Sequence, residues 1–255
     1  MNNFMEELFW NFPYETRRKL FKLLRKNNFM NLMKMRANVP EKLFEPTFEP
    51  FVRNKCIFVH IPKAAGISIG YSLFGRHTGN HRTIKEYQII FSKEEFDSFF
   101  KFTFVRNPWD RLASAYMFMK KGGRNSFDAE WAEKYLTQFN DFEDFVLNWV
   151  NTDNINLGAH IKPQYKFVTT NNIKKVDVDF VGYFETIEND YEYIRQQLGF
   201  GSKLEVKNKT TDKRNDFREY YSDKMIQIVE DAYREDIELF GYNFDNSSIK
   251  QISNP

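Results

Sequence analysis

The sequence predicts an α/β fold, with a mostly parallel central sheet flanked by helices, and three observations carry that prediction. Two apolar runs, Cys56–Ile61 and Phe102–Val105, each pass at once into a tight polar turn and then a helical pattern. A third β-rich run, Val176 to Phe184, leads straight into another helical segment. Strands apolar on both faces, alternating with helices, belong to parallel sheets covered on both sides.

The elements follow in order. Residues 1–36 lack this alternation. Pro13 stands early in a helix running through Tyr14–Phe21, with Leu20, Leu23 and Leu24 on one face and Arg17, Arg18, Lys22, Arg25 and Lys26 around them. Such a helix can lie on a membrane or a nucleic acid; packing on the main domain with a solvated basic face is the simpler expectation. Pro40, Pro46 and Pro50 mark an extended linker, dividing the chain into a helical extension with linker, 1–50, and a main domain, 51–255.

In the main domain Cys56–Ile61 is followed by Pro62–Ser68 and a helix to about Phe74. After Phe102–Val105 come the turn Arg106–Asp110 and a helix from Arg111 to Lys120, with Asn107 as N-cap, Pro108 at N1 and Asp110 at N3. Residues 128–150 read as helical with a break near Asn140. Thr186 to Leu198 is a helix closed by Gly199. Ser222 caps a last helix carrying Ile226, Val229, Tyr233, Ile237 and Phe240 on one stripe, ended by Gly241.

Bulk properties bound the function. A chain of 255 residues with 42% apolar side chains buries a sizeable core in one large domain. The formal charge of +2 is too balanced for wholesale nucleic-acid binding, though it allows a local basic pocket. The single cysteine, Cys56, excludes an intramolecular disulfide and a cysteine-based zinc site, and its place in an apolar run suits a buried thiol. No stretch approaches the roughly 18–20 apolar residues of a membrane span, and Glu6 and Glu7 stand where a signal peptide would want positive charge. The expectation is a soluble, cytoplasmic protein.

The chemistry lies at the two turns. In open α/β sheets ligands bind beyond the carboxyl ends of the strands, where the next helix has unpaired N–H groups. At the first turn Gly66 lets the backbone approach an anion, Lys63 adds a charge and Ser68 a hydroxyl. The nucleoside-triphosphate loop is excluded by order, because there the lysine directly follows the last glycine, whereas Lys63 precedes the loop's glycine. At the second turn Arg106 ends a strand and Ser114 lies two turns into the following helix, so both can converge on a second phosphate. An ion pair of Arg106 with Asp110, and a packing role for Ser114, are the bland alternatives.

The phrase Phe58-Val59-His60-Ile61-Pro62-Lys63-Ala64-Ala65-Gly66-Ile67-Ser68 closely resembles the 5′-phosphosulfate loop of carbohydrate-type (family 2) sulfotransferases. The phrase from Phe104 through Arg106-Asn107-Pro108-Trp109-Asp110-Arg111 to Ser114 and Tyr116 is similar to their 3′-phosphate motif. Pro163-Gln164, Asp179 to Glu185, Asn208-Lys209-Thr210 with Arg214, and Tyr233–Tyr242 resemble later parts of the family, so the likeness covers roughly residues 52–245. Ile67 departs from it, standing where a small hydroxyl residue is usual.

The resemblance implies a P-loop-like sulfotransferase fold and the donor 3′-phosphoadenosine 5′-phosphosulfate (PAPS), released as PAP. Lys63 and the stretch Ala64, Ala65, Gly66, Ile67 and Ser68 would hold the 5′ end, Arg106 and Ser114 the 3′-phosphate, and Lys209, Thr210 and Arg214 would lie over the nucleotide. No metal is implied, because a sulfuryl group carries less charge than a terminal phosphate. An alcohol acceptor needs a base, and in the family a histidine shortly after the first helix serves. Asn80-His81-Arg82-Thr83-Ile84 matches that setting best, with Asn80 replacing the usual lysine; His77 is the second candidate. His60, inside the apolar run, reads as structural, while His160 and Gln164 are candidate acceptor contacts. The implied acceptor is a carbohydrate hydroxyl; a small metabolite, lipid or amine, or a non-catalytic PAP- or glycan-binding role, remain as alternatives. The turn Lys120–Arg124 could greet an acidic glycan or be a solvated loop.

Overall fold

The computed structural model describes residues 3–170, 175–205 and 216–247. Its centre is a three-stranded parallel sheet in the order β1 (Cys56–Val59), β2 (Phe100–Val105), β3 (Phe180–Tyr183). Cys56 pairs with Phe100 and Phe102 with Phe180, so all three strands end at the same edge. The residues of β1 are all buried, as the continuous apolar run requires. Thr103 removes the polarity of its hydroxyl by donating to the Val59 carbonyl at 2.7 Å. Cys56 is fully buried, and burial pushes its thiol up to about 12.

Helices α1 (Asn3–Asn11), α2 (Tyr14–Leu24) and α3 (Lys26–Ala37) precede the sheet. On α2 the inward face is Arg17, Leu20 and Phe21; Leu23 and Leu24 are exposed, so the expected leucine stripe does not face the core. Arg17 is held between the Trp10 and Tyr14 rings and donates to the Trp10 carbonyl, which offsets its burial. Of the three prolines expected to mark a linker, Pro40 and Pro46 lie in a stretch without regular elements and Pro50 lies in a helix. Pro50 opens a short helix, α4 (Glu49–Asn54), and Phe48 and Phe51 are fully buried.

The first crossover holds α5 (Gly66–Phe74), α6 (Ile84–Ile90) and α7 (Lys93–Ser98). The two short helices are each started by a capping box, Thr83 with Glu86 and Ser92 with Glu95. After β2 come α8 (Pro108–Lys120), α9 (Ser126–Leu136), α10 (Phe142–Trp149) and α11 (Tyr165–Val168). The break expected near Asn140 separates α9 from α10, with Asp141 capping the second. Strand β3 is shorter than its β-rich run. The Asp179 carboxylate takes the Lys101 amide and ammonium at the edge, and regular pairing begins one residue later.

Beyond β3 lie α12 (Ile187–Leu198), closed by left-handed Gly199, then α13 (Asp223–Ala232) and α14 (Arg234–Phe240). The single last helix expected is thus two, broken at Tyr233. One apolar cluster surrounds the sheet, and a second packs α8, α10 and α13 around Trp109, Phe145, Trp149 and Tyr233. Among the described residues no helix is long and apolar enough to cross a membrane.

Candidate active site

The carboxyl ends of all three strands feed one place, as the topology of a parallel sheet dictates. Past β1 the chain turns sharply: Lys63 and Ala65 both adopt left-handed backbone angles, φ 68° and 60°. Ala65 is the N-cap of α5 and offers no side-chain acceptor to the helix's first N–H groups. A β-carbon on Gly66 would lie 1.9 Å from the His60 ring, so the loop closes only because glycine is there. The Lys63 ammonium sits 4.1 Å above the Phe118 ring. Burial, then Arg106 and Arg111, pull it down to about 8, which leaves it mainly charged at neutral pH. Ala64 and Ser68 are buried, while Ala65 and Ile67 are partly exposed.

The second turn is braced from every side. Asn107 caps α8 by accepting from the Trp109 and Asp110 amides, as expected, with Pro108 in the first turn. The Asn107 amide donates to Glu185 at 2.7 Å, and Tyr242 donates to the other oxygen of that carboxylate. Arg106 pairs with both oxygens of Asp110, at 2.7 and 2.8 Å, and lies 4.1 Å over the Phe184 ring. It also donates to the Lys63 carbonyl at 3.1 Å. These three bonds use three of the five N–H donors of a guanidinium. Ser114 is buried on α8. Arg111, which sequence reasoning passed over, is fully buried and donates to the Pro62 and Lys162 carbonyls, both at 2.9 Å. Two arginines of the second turn thus hold two carbonyls of the first.

Gln164 was expected to meet the acceptor, and the structure places it elsewhere. It is fully buried, accepting from the Arg106 amide and donating to the Arg106 carbonyl, so it sets Arg106 in place. Its own amide, and that of Tyr165, bond to Asp236, whose carboxyl burial raises to about 6. Lys209, Thr210 and Arg214 lie outside the described residues.

All four histidines gather beside the first turn. The His60 ring is 4.6 Å from His81 and 5.9 Å from His77, and His81 is 5.4 Å from His160. The segment before α4 pins the loop that carries two of them. His77 donates its amide to the Leu43 carbonyl, Gly79 to that of Thr47, and Arg76 reaches Pro40 and Lys42. His81 Nδ1 faces the His60 carbonyl at 3.4 Å, which leaves its Nε2 as the basic nitrogen. Burial, then His160, push its pKa down to about 3, so the ring is neutral at physiological pH. The rings meet mostly edge to face, and among the described residues no three His, Cys, Asp or Glu side chains are placed to hold a metal.

A strand, a left-handed turn and an uncapped helix are locked to the arginine that follows the next strand, and the chain belongs to the sulfotransferase family, whose model matches residues 50–243. It is 25% identical over 205 residues to carbohydrate sulfotransferase 11 of Mus musculus, covering 66% of this chain and 54% of that protein. It is 26% identical over 171 residues to carbohydrate sulfotransferase 14 of Danio rerio, covering 59% of this chain and 46% of that one. The chain thus spans about half the length of these two relatives. An uncharacterized protein of Archaeoglobus fulgidus is 33% identical over 117 residues, 45% of this chain and 80% of its own length. No solved structure matches significantly.

Proposed function

We propose that the protein is a sulfotransferase taking its sulfuryl group from PAPS and passing it to a carbohydrate hydroxyl. The observation that carries this reading is the bond from Arg106 to the Lys63 carbonyl, which joins the two matched segments at the ends of adjacent strands. Burial, and after it the neighbouring Arg106 and Arg111, depress the Lys63 pKa, and a bound anion would relieve the repulsion from the two arginines.

The donor supplies an SO₃ group on a 5′-phosphate oxygen. Lys63 and the first amides of α5 are the groups placed to neutralise charge on that phosphate as it leaves. The two unspent donors of Arg106, with the Ser114 hydroxyl, suit a second phosphate, the feature that separates PAPS from ATP. A histidine of the cluster would take the acceptor's proton, and His81, the candidate of the sequence, has a neutral ring at physiological pH.

Sulfate transfer from labelled PAPS to a panel of sugar acceptors tests the reading, alongside thermal shifts with PAP and ATP. PAP should raise the melting temperature and ATP should not, since a ligand stabilises only in proportion to its affinity for the folded state. Equal stabilisation by ATP would remove the 3′-phosphate site from the reading.

A further inference from the structure

The first three helices carry surface that the fold does not use. Of the twelve large apolar side chains left exposed among the described residues, nine lie between Met5 and Phe44. Residues 13–40 hold eight Lys and Arg against one acid, Glu15. That is a charge of +7 in a chain whose total is +2, so the rest of the chain carries −5.

The two properties meet where α2 passes into α3. The chain bends at Arg25, whose φ of −131° and ψ of 46° belong to neither helix, and every residue from Lys22 to Asn28 is exposed. Leu20 and Phe21 of α2, with Phe29 and Leu32 of α3, pack on the core. Leu23 and Leu24 instead stand out, with 77% and 67% of their surface in solvent. On the outward face of α2, Lys19 and Lys22 flank Leu23 at helical spacing; on that of α3, Met30 lies between Lys26 and Lys34. Three other basic residues of the extension have partners within the fold. Arg17 lies between two rings, Arg18 donates to the Ile89 carbonyl and Arg36 pairs with Glu95. Lys19, Lys22, Arg25, Lys26 and Lys34 form no ion pair with any acid among the described residues.

We propose that this corner docks the protein on an anionic lipid surface, with Leu23 and Leu24 entering the headgroup region and the five unpaired cations meeting the lipid charge. The inference does not depend on the sulfotransferase reading. It involves no span, since no helix among the described residues is long and apolar enough to cross a membrane. A bilayer interface accepts an apolar projection and a ring of cations together, because long lysine and arginine stems keep their charges at the headgroups while the leucines go deeper. Neither signal alone holds a protein firmly, so the combination matters. Charge and shape disfavour the other occupants. A second copy would set the cations against their own images across a two-fold axis. A nucleic acid would satisfy the cations through its phosphates but give two aliphatic side chains nothing to enter. A partner's segment would need a groove, and side chains as exposed as these two form a projection.

Co-sedimentation of the full chain with vesicles tests this. The protein should pellet with phosphatidylcholine–phosphatidylserine vesicles and stay in solution with phosphatidylcholine alone. Raising the salt from about 0.1 M to about 1 M, which shortens the screening length from about 10 to about 3 Å, should release it. Lys22→Gln with Lys26→Gln should weaken partitioning roughly fivefold for each lysine lost. Leu23→Ser with Leu24→Ser should weaken it at least about tenfold, because that apolar surface no longer leaves water. Both double variants alter exposed side chains, so their melting temperatures should match the wild type. Cys56 is buried, so Leu24→Cys offers one reactive thiol for an environment-sensitive dye, whose emission should shift to the blue on anionic vesicles. The inference is overturned if the wild type ignores anionic vesicles or if either double variant partitions like wild type. It is equally overturned if the dye on bound protein keeps its aqueous emission, which would leave adhesion by charge alone. A wild-type dimer that the leucine variant dissociates would give the surface to a second copy and overturn it too.

Discussion

The turn after β1 and the turn after β2 do similar work with opposite construction. The first is strained and sparsely bonded: Lys63 and Ala65 sit at left-handed angles without being glycine, and α5 starts without a side-chain cap. The second is over-determined, with Asn107 capping its helix and Gln164, Glu185 and Asp110 each holding a part of Arg106 or Asn107. Left-handed non-glycine residues persist only where their surroundings impose them. Here the imposing groups are Arg106 and Arg111, which grip the Lys63 and Pro62 carbonyls. The rigid turn therefore shapes the strained one.

The sharpest way to break the contrast is to remove the charge from the strained turn alone. Lys63→Ala should lower kcat by about 10²–10³-fold, the scale for losing one donor to a developing anion, while PAP affinity changes much less. Steady-state transfer and PAP titration separate the two, and a variant with near wild-type kcat would strip Lys63 of its role in the chemistry.

Changing the rigid turn should act through both. Arg106→Ala removes donors for a 3′-phosphate and also the bond to the Lys63 carbonyl. At about 1.5–3 kcal/mol for a charged hydrogen bond, PAP affinity should fall roughly 10–100-fold. Adenosine 5′-phosphosulfate, lacking the 3′-phosphate, should lose affinity too, but less. Equal losses by titration calorimetry would reduce Arg106 to a brace for the first turn. Arg106→Lys should not restore binding, because an ammonium cannot pair with Asp110 on two nitrogens and still reach Lys63.

The contrast also explains what could be read in advance. The second turn was legible because its order comes from local chemistry: an N-cap, a proline at N1 and an acid at N3 are neighbours in the chain. The strands β1 and β2 were legible as apolar runs for the same reason. Helices α6 and α7 carry equally local capping boxes, Thr83–Glu86 and Ser92–Glu95, and that signal could have found them. Other features depend on contacts far apart in sequence. Gln164 braces Arg106 across 58 positions, and Asp128 meets His160 across 32. No spacing announces that residues 60, 77, 81 and 160 share one corner; the crossover and the packing of segment 40–48 bring them there. Arg111 was invisible as a site residue because nothing near it in sequence shows which carbonyls it reaches.

The two turns should finally differ in how their supports respond to acid. His81, beside the first turn, has its pKa pushed by burial from 6.5 to about 3. Its contribution to stability is full above 6.5 and is lost as pH falls toward 3, because the unfolded chain takes up the proton first. Asp236, beneath the second turn, is raised by burial from 3.8 to about 6. Its contribution is full below 3.8 and is lost as pH rises through 6. Between these limits the two oppose each other, so the wild-type curve hides both. Melting temperatures measured from pH 7 down to pH 4 should fall less steeply in His81→Gln than in wild type, and more steeply in Asp236→Asn. The difference lies in the slopes, so it survives any uniform loss of stability in either variant. Parallel curves for all three proteins would mean that neither group is held away from its ordinary value, and that the two supports respond to acid alike.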